Sequence, residues 1–179
     1  MKLFMDMEFT GLHQNTSLIS IGIVSEDSNC FYGERTDFNK SQLERWHYEN
    51  VLPHLKQYKP DEIMTEDNVN TVIGSGDILL AALKPWLNQY KEIEIWSDCL
   101  AYDWVLFCQL FGGAMSVPKN IHYIPYDICT LFKAAGIDPD INREEFANIK
   151  GPKHNALHDA KVIRACYEKL AVQFPLMKG

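Results

Sequence analysis

The stretch from Met1 to Leu12 constrains the fold most, because it places two carboxylates in a short apolar run. The run is interrupted by Thr10-Gly11, which is typical of a buried strand that ends in a turn. Side chains two positions apart on a strand share a face, so Asp6 and Glu8 are predicted to project together. Paired carboxylates favour a shared proton or a cation, and a hard divalent metal prefers such oxygen ligands. Two solvated acids at an exposed strand end are the alternative.

Length and composition predict a globular protein of one domain over residues 1–179. Of its residues 46% are hydrophobic, which is ample for a sizeable core. Five scattered cysteines without a C-x-x-C pair favour reduced thiols in a cytoplasmic protein over a disulfide framework or a zinc site. We expect neither a secretion signal nor a membrane partner, since no apolar run approaches the ~20 residues of a membrane span.

The net charge of −7 argues against a protein that coats long nucleic acids. Neutralisation of phosphates dominates the affinity of such proteins, which are therefore usually basic. A metal-dependent nuclease remains compatible with this charge, because bound cations supply positive charge at a small site.

Hydrophobic patterning predicts a mixed sheet with helices on its faces. Three short runs, ending near residue 9 and spanning 17–24 and 30–34, predict an antiparallel meander. Two more strands are predicted over 92–96 and 121–126, the second at an edge because it contains Pro125. Helices are predicted from Ser41, where S-x-x-E matches a capping box, to Pro53, and over 77–90, 101–111, 127–135, 143–149 and 155–172. Residues 56–75 give no clear prediction.

A third acid, Asp103, lies in the first turn of the helix predicted over 101–111. Apolar residues follow it at three, four and seven positions, namely Leu106, Phe107 and Leu110. Asp103 is therefore predicted to share the helix face that packs on the sheet. Asp98 is the competing candidate, but its position at the strand-to-helix junction favours a helix cap.

A fourth acid, Asp159, begins the apolar stripe of the last helix, which continues with Val162, Ile163, Cys166 and Leu170. An unpaired acid at such a position is costly, so we expect a cation beside it. His154 precedes this helix on a loop and lies within reach of Asp159, whereas His158 is predicted to face solvent. A plain surface histidine is the alternative for His154.

Three motifs now resemble a known family: D-M-E-F-T-G-L, A-Y-D-W-V-L-F and H-N-A-L-H-D-A, in this order. Together they look like the DEDDh exonucleases, and most like small exoribonucleases such as oligoribonuclease and ribonuclease T. The resemblance extends from Asp6 to about Leu170. It implies an α/β, ribonuclease-H-like fold, with a five-stranded mixed sheet of three antiparallel and then two parallel strands flanked by helices.

The resemblance also implies the roles of the site residues. Asp6, Glu8, Asp103 and Asp159 match the four metal-binding acids of the family, and His154 matches the general base. Two ions of Mg²⁺ or Mn²⁺ are expected per active site, with Asp6 bridging both. Asp98 departs from the family pattern, since many members have Asn there, and an extra acid would slightly disfavour phosphate.

Substrate contacts are expected from residues that adjoin the candidate acids and His154 in the sequence. Thr10, Gly11 and Leu12 match the stretch that contacts the terminal nucleotide in the family. Phe9 and Trp104, each next to a candidate acid, are predicted to stack on bases, with a core position as the alternative. Lys153 is predicted to meet the phosphate backbone, with a solvated loop position as the alternative.

The sequence therefore predicts a 3′-5′ exoribonuclease that acts on single-stranded or overhanging 3′ ends. Small size and the likeness of M-E-F-T-G-L to oligoribonuclease favour RNA. A single-stranded-DNA exonuclease of phage or repair type is the first alternative, and a non-catalytic nucleic-acid-binding protein is the second. A homodimer is expected on the family resemblance alone.

Overall fold

A computed structural model describes residues 1–58 and 68–173 of the chain. Its centre is a mixed sheet whose strands lie in the order β4-β3-β2-β1-β5-β6. The strands are β1 Lys2–Phe9, β2 Leu18–Ser25, β3 Cys30–Arg35, β4 Val69–Gly74, β5 Glu94–Ser97 and β6 Tyr126–Asp127. β1, β2 and β3 pair antiparallel, while β4, β5 and β6 join in parallel.

Helices cover both faces of this sheet. They are α1 Arg45–Asn50, α2 Gly76–Asn88, α3 Leu100–Leu110, α4 Ile128–Ala134, α5 Arg143–Ala147 and α6 Ala156–Gln173, with 3-10 turns at Lys40–Gln42, Leu52–His54, Lys56–Tyr58 and Ala114–Ser116. Among the described residues, no helix is both long and apolar enough to cross a membrane.

The alternation of β1 separates two apolar cores. Leu3, Met5 and Met7 pack with α2 and α3, whereas Phe4 packs with α4 and α6. Because successive strand residues point to opposite faces, Asp6 and Glu8 lie on the α6 side with Phe4. The apolar residues of β1 pack into a core on each face of the sheet, and Asp6 and Glu8 lie towards the C-terminal end of the strand.

The sheet confirms three antiparallel strands followed by two parallel ones, but the prediction of five strands is wrong. The additional strand, β4, lies in the stretch 56–75 that gave no prediction, and residues 59–67 of that stretch lie outside the described residues. β4 is an edge strand whose side chains are mostly half-buried, so its sequence lacks the alternation that marks a strand.

The first helix begins later than predicted. Ser41 donates its hydroxyl to Asn39 Oδ1 at 2.7 Å within a 3-10 turn, so it does not cap a helix with Glu44. Glu44 itself forms the capping box with His47, and α1 starts at Arg45. The predicted end holds, because α1 finishes at Asn50, before Pro53.

The predicted strand over 121–126 is much shorter in the structure. Ile121 forms an isolated bridge with Ile93, and regular pairing is confined to Tyr126–Asp127. Pro125 lacks the N–H that a longer ladder would require. The edge position is confirmed, since β6 is the outermost strand on its side.

Candidate active site

The two acids of β1 lie together at the end of a buried strand. Asp6 and Glu8 are each 8% exposed, although the strand around them is otherwise apolar. Their register places Asp6 opposite Gly22 and Glu8 opposite Ser20 on β2. The sequence prediction that both carboxylates project from one strand face agrees with this arrangement.

Gly22 allows α6 to approach these acids. A Cβ at this position would lie 2.3 Å from the backbone C and O atoms of Ala156 and 2.4 Å from the N of Leu157. The first turn of α6 therefore rests directly on the β2 backbone, beside Asp6. This contact brings Asp159 to the β1 acids, so that ligand oxygens of Asp6, Glu8 and Asp159 lie within 4.8 Å of one another.

A second set of oxygens shares Asp6 with the first. One ligand atom each from Asp6, Asp98 and Asp103 also lies within 4.8 Å of the other two. Asp103 is fully buried, and its Oδ2 accepts a hydrogen bond from the Ser97 hydroxyl. The predicted face is correct, because Leu106 and Phe107 are buried on the same side of α3.

The predicted capping role of Asp98 is wrong. Cys99 is the N-terminal cap residue of α3 and makes no side-chain capping bond. The Asp98 carboxylate instead forms an ion pair with Arg143, whose Nε lies 3.1 Å from Oδ2. The Arg143 Nη2 atom also donates to Cys129 Sγ at 3.0 Å, which fixes the guanidinium beside the acids. The sequence spacing of 98 and 143 gave no indication of this pair.

The acids fit a hard cation. Asp6 Oδ2 and Asp103 Oδ1 are buried and have no hydrogen-bond partner among the described residues. A buried carboxylate oxygen without a partner is costly, and a bound cation would remove that cost. A donor set made only of carboxylate oxygens suits Mg²⁺ or Mn²⁺ better than softer metals.

Burial and mutual repulsion also raise the pKa values of these acids. The pKa of Asp6 lies well above its usual value, because burial and then the charges of Asp103 and Glu8 disfavour ionisation. Burial, followed by Asp159 and Asp103, raises the pKa of Glu8 to about 8. The pKa of Asp159 rises to about 7, again chiefly through burial. Without a cation, the cluster retains protons near neutral pH.

His154 lies at the rim of this cluster. Its backbone N–H donates to Asp159 Oδ2 at 2.9 Å, and its Nδ1 lies 4.0 Å from Glu8 Oε1. The ring meets Trp46 edge-on, with centroids 4.8 Å apart. Burial and the nearby charges of His54 and Lys153 lower the pKa of His154. A neutral imidazole in this position is able to accept a proton.

His158 does not face solvent, contrary to the sequence prediction. Its side chain is 11% exposed, and its Nε2 lies 3.0 Å from Glu144 Oε1. The helical pattern placed His158 correctly on the side opposite the apolar stripe. The error arises because α5 packs over that side of α6, a contact between helices that periodicity does not reveal.

The residues predicted to bind substrate divide into two groups. Phe9, Gly11 and Leu12 line the cleft above the acids, and Leu12 is 72% exposed. The Phe9 ring stacks on Tyr102, with centroids 5.4 Å apart. Thr10 is 2% exposed and donates its hydroxyl to Gln42 Oε1 at 2.6 Å, so its side chain braces the turn.

The two other candidates have structural partners. Trp104 stacks on Phe107, with centroids 5.6 Å apart, and packs against the core on the α2 and α3 side. It borders a shallower depression next to the cleft, together with Tyr102. Lys153 lines the main cleft and pairs with Glu144 at 3.5 Å. A contact of either side chain with substrate stays a prediction.

The cleft has a volume of about 720 Å³, and several of its residues were not predicted from the sequence. Among them are Trp46, Arg143 and Glu144. Trp46 is 45% exposed despite its size, and the misplaced helix start concealed its position beside the cleft. A capping box read from Glu44 and His47 would have placed Trp46 in the first turn of α1.

Comparison with known proteins identifies the family of this chain. The chain matches the family model of the 3′-5′ exoribonuclease Rv2179c-like domain over residues 1–171. The chain belongs to this family. It is 27% identical, over 136 residues, to the 3′-5′ exoribonucleases named MT2234.1 and Rv2179c of two Mycobacterium tuberculosis strains, CDC 1551 / Oshkosh and ATCC 25618 / H37Rv. The match covers 76% of this chain and 76% of each relative.

The fold of this family member resembles a solved nuclease. The nuclease domain of 3′hExo, a DEDDh family member bound to rAMP, superposes with a TM-score of 0.65 at 14% identity. The superposition covers 97% of this chain and 92% of that domain. The ribonuclease-H-like α/β fold expected from the sequence is therefore confirmed, with one strand more than predicted.

Proposed function

We propose that this protein is a metal-dependent 3′-5′ exoribonuclease that hydrolyses phosphodiester bonds at single-stranded or overhanging 3′ ends. The observation that supports this most is the convergence of two oxygen sets on Asp6, one with Glu8 and Asp159 and one with Asp98 and Asp103. RNA is favoured as substrate because the relatives from Mycobacterium tuberculosis are named exoribonucleases.

The acids present fit two divalent cations, Mg²⁺ or Mn²⁺. Asp6, Glu8 and Asp159 would hold one, and Asp6 with Asp103 would hold the other. When bound, such a pair stabilises the attacking and leaving oxygens of an in-line displacement at phosphorus. Asp98 is assigned to Arg143 rather than to metal, because the ion pair already compensates its charge.

His154 acts as the general base in this proposal. It takes the proton of the attacking water, because its lowered pKa leaves the imidazole neutral at neutral pH. Glu8, 4.0 Å from Nδ1, then stabilises the imidazolium that forms. The bond from the His154 N–H to Asp159 keeps the ring at the rim of the acid cluster.

Aromatic side chains and backbone groups bind the 3′ end of the RNA strand. Phe9 and Trp46 offer ring faces at the cleft, and such stacking tolerates any base sequence. The backbone around Gly11 and the exposed Leu12 receive the 3′-terminal nucleotide. Trp104 and Lys153 are kept as contacts for the following part of the strand.

The proposal also includes a cytoplasmic location and a homodimeric state for this protein. Cys99, Cys108, Cys129 and Cys166 are free thiols, which is consistent with the reducing cytoplasm. A homodimer is proposed on the DEDDh resemblance alone.

The proposal is tested with matched single-stranded RNA and DNA oligonucleotides, labelled in parallel at the 5′ or the 3′ end. With Mg²⁺ or Mn²⁺, we expect the 5′-labelled RNA to shorten in single-nucleotide steps and the 3′ label to leave at once as a mononucleotide. Chelator should stop both reactions, and DNA should react more slowly. Internal cuts, loss of the 5′ nucleotide first, or RNA that stays intact with both metals would overturn the proposal.

A further inference from the structure

His158 lies against the loop that presents His154. We call residues 148–155 the His154 loop. A Cβ on Gly151 would lie 2.2 Å from Cε1 and 2.3 Å from Nδ1 of the His158 ring. A side chain at position 151 would therefore displace either the loop or the His158 ring.

The other side of the His158 ring is held by α5. Its Nε2 lies 3.0 Å from Glu144 Oε1, and the second oxygen of Glu144 lies 3.5 Å from the Lys153 Nζ. A carboxylate at this distance favours the proton on Nε2 of His158. The imidazole and carboxylate thus connect α6 and α5 with Gly151 and Lys153 of the exposed segment 150–153.

The His154 loop needs such support. His154 has φ of 61°, in the left-handed region that a histidine adopts only when its surroundings enforce it. Three contacts hold His154 directly: its N–H donates to Asp159, its ring meets Trp46, and its Nδ1 lies 4.0 Å from Glu8. None of them restrains Gly151 or Lys153, which determine how the chain enters His154.

We infer that His158, Glu144 and Gly151 form a latch that holds the His154 loop with the His154 ring at the rim of the acid cluster. His158 is then a positioning residue, because its ring contacts Glu144 and the loop backbone rather than the proposed metal-binding acids. This inference rests on the proposed function, since it assigns His158 to the placement of the proposed base. A misplaced base typically costs about 100-fold in rate for a displacement of about 1 Å.

Three substitutions disturb the latch in different ways. His158→Leu removes the bond to Glu144, whereas His158→Gln retains a side-chain donor. Gly151→Ala forces the loop and the His158 ring apart without removing any ionisable group. His122→Leu, in the exposed segment before β6, is the matched control for replacing a histidine by leucine.

The first measurement is NMR of histidines labelled with ¹³C, in protein without metal or substrate. The Trp46 ring current shifts the His154 Cε1–H signal, and His154→Ala identifies that signal. Trp46→Ala gives the position of the signal when the ring contact is lost. We expect His158→Leu and Gly151→Ala to move the signal towards that position, His158→Gln to move it less, and His122→Leu to leave it unchanged.

The second measurement is the kinetics of RNA shortening. We expect kcat to fall about tenfold to 100-fold in His158→Leu and Gly151→Ala, while KM changes less than about threefold, because the base is displaced and the nucleotide site is intact. His158→Gln should recover most of the loss. A His154 signal that stays in place in both variants, or a kcat within twofold of the wild type, would overturn the latch.

Failure of the latch and failure of the proposed function give different results. Wild-type protein that leaves RNA intact contradicts the function, while the NMR comparison still tests the latch. If His158→Leu does not fold, Glu144→Gln weakens the same bond with little change of volume. An unmoved His154 signal in Glu144→Gln and Gly151→Ala overturns the latch in that case.

Discussion

Asp98 brings a fifth carboxylate to the site, and Arg143 compensates for it. The two side chains lie 3.1 Å apart and are 20% and 25% exposed, so the pair is only partly screened by water. Asp98 is therefore tolerated beside Asp6, although an unpaired acid there would repel the phosphate of a substrate. The sequence showed the unusual acid, but not the arginine that balances it.

This balance predicts the result of a double-mutant cycle. Arg143→Met leaves Asp98 unpaired, and we expect kcat/KM for RNA to fall at least about tenfold, which corresponds to about 1.4 kcal/mol. Asp98→Asn should be mild, and the double variant should recover most of the loss because both charges are removed. Losses that simply add in the double variant would contradict the assigned role of Arg143.

The raised pKa values of the acids predict how stability depends on pH. Glu8 and Asp159 have folded-state pKa values of about 8 and about 7, above the ~4 of unfolded carboxyls. Such groups bind more protons in the folded state, so their contribution is fully present below about pH 4 and is lost as pH rises through 7 and 8. The melting temperature of metal-free protein should therefore fall between pH 5.5 and 8.5.

Two comparisons check this dependence. Glu8→Gln cannot titrate, so its melting temperature should fall less over the same interval. Divalent metal at about 100 times its Kd stabilises the folded state by about 2.7 kcal/mol, and its effect should be largest at high pH. A wild-type melting temperature that rises with pH, or an unchanged slope in Glu8→Gln, would contradict the pKa assignment.

At the scale of elements, the docking of α6 on β2 determines whether the acids meet. Periodicity was sufficient to predict the faces of β1, α3 and α6, because burial follows the spacing of apolar residues. It was insufficient for β4, a half-buried edge strand, and for α5, whose contact with His158 joins residues distant along the chain. The site acids were predictable and their supports were not, since helix-to-helix packing has no local sequence pattern.

Gly22 tests this docking. We expect Gly22→Ala to push the first turn of α6 away from β2, because its Cβ would meet backbone atoms that cannot rotate aside. Overpacking typically costs about 1–3 kcal/mol, so the melting temperature should fall by about 2–12 °C. Stabilisation by Mn²⁺ should also be lost, since Asp159 moves away from Asp6.

Gly33→Ala is the matched control. Its Cβ would lie 3.1–3.2 Å from side-chain atoms of Ile21 and Leu79, on the α2 side of the sheet. We expect Gly33→Ala to retain the stabilisation by Mn²⁺, whatever its own melting temperature. Equal stabilisation of both variants by Mn²⁺ would show that the contact at Gly22 does not place Asp159.

At the scale of the whole molecule, charge sets how RNA is held. The net charge is −7, and both Arg143 and Lys153, which line the cleft, are paired with acids. The described lining of the cleft therefore offers no unpaired arginine or lysine to the phosphates of a long strand, and we expect affinity to come from the terminal nucleotides and metal ions.

This predicts a weak dependence on salt and on substrate length. Each contact of a basic side chain with a phosphate of a single strand contributes about −0.7 to the slope of log affinity against log salt. The two side chains of Arg143 and Lys153 therefore give a slope of at most about −1.4. RNA oligonucleotides of different lengths, varied in KCl at fixed Mg²⁺, should show similar and shallow slopes of kcat/KM. A slope steeper than about −3 would contradict this account, because it would require more phosphate contacts than the cleft offers.

Asp6 offers the most direct test of the central claim, because it belongs to both oxygen sets. The measurement is the rate at which 5′-labelled single-stranded RNA shortens in Mg²⁺, compared between wild type and Asp6→Asn. We predict stepwise shortening from the 3′ end by the wild type and a loss of at least about 1000-fold in a folded Asp6→Asn variant, since both proposed cation sites would lose a ligand. Shortening by Asp6→Asn at a rate near that of the wild type would contradict the account.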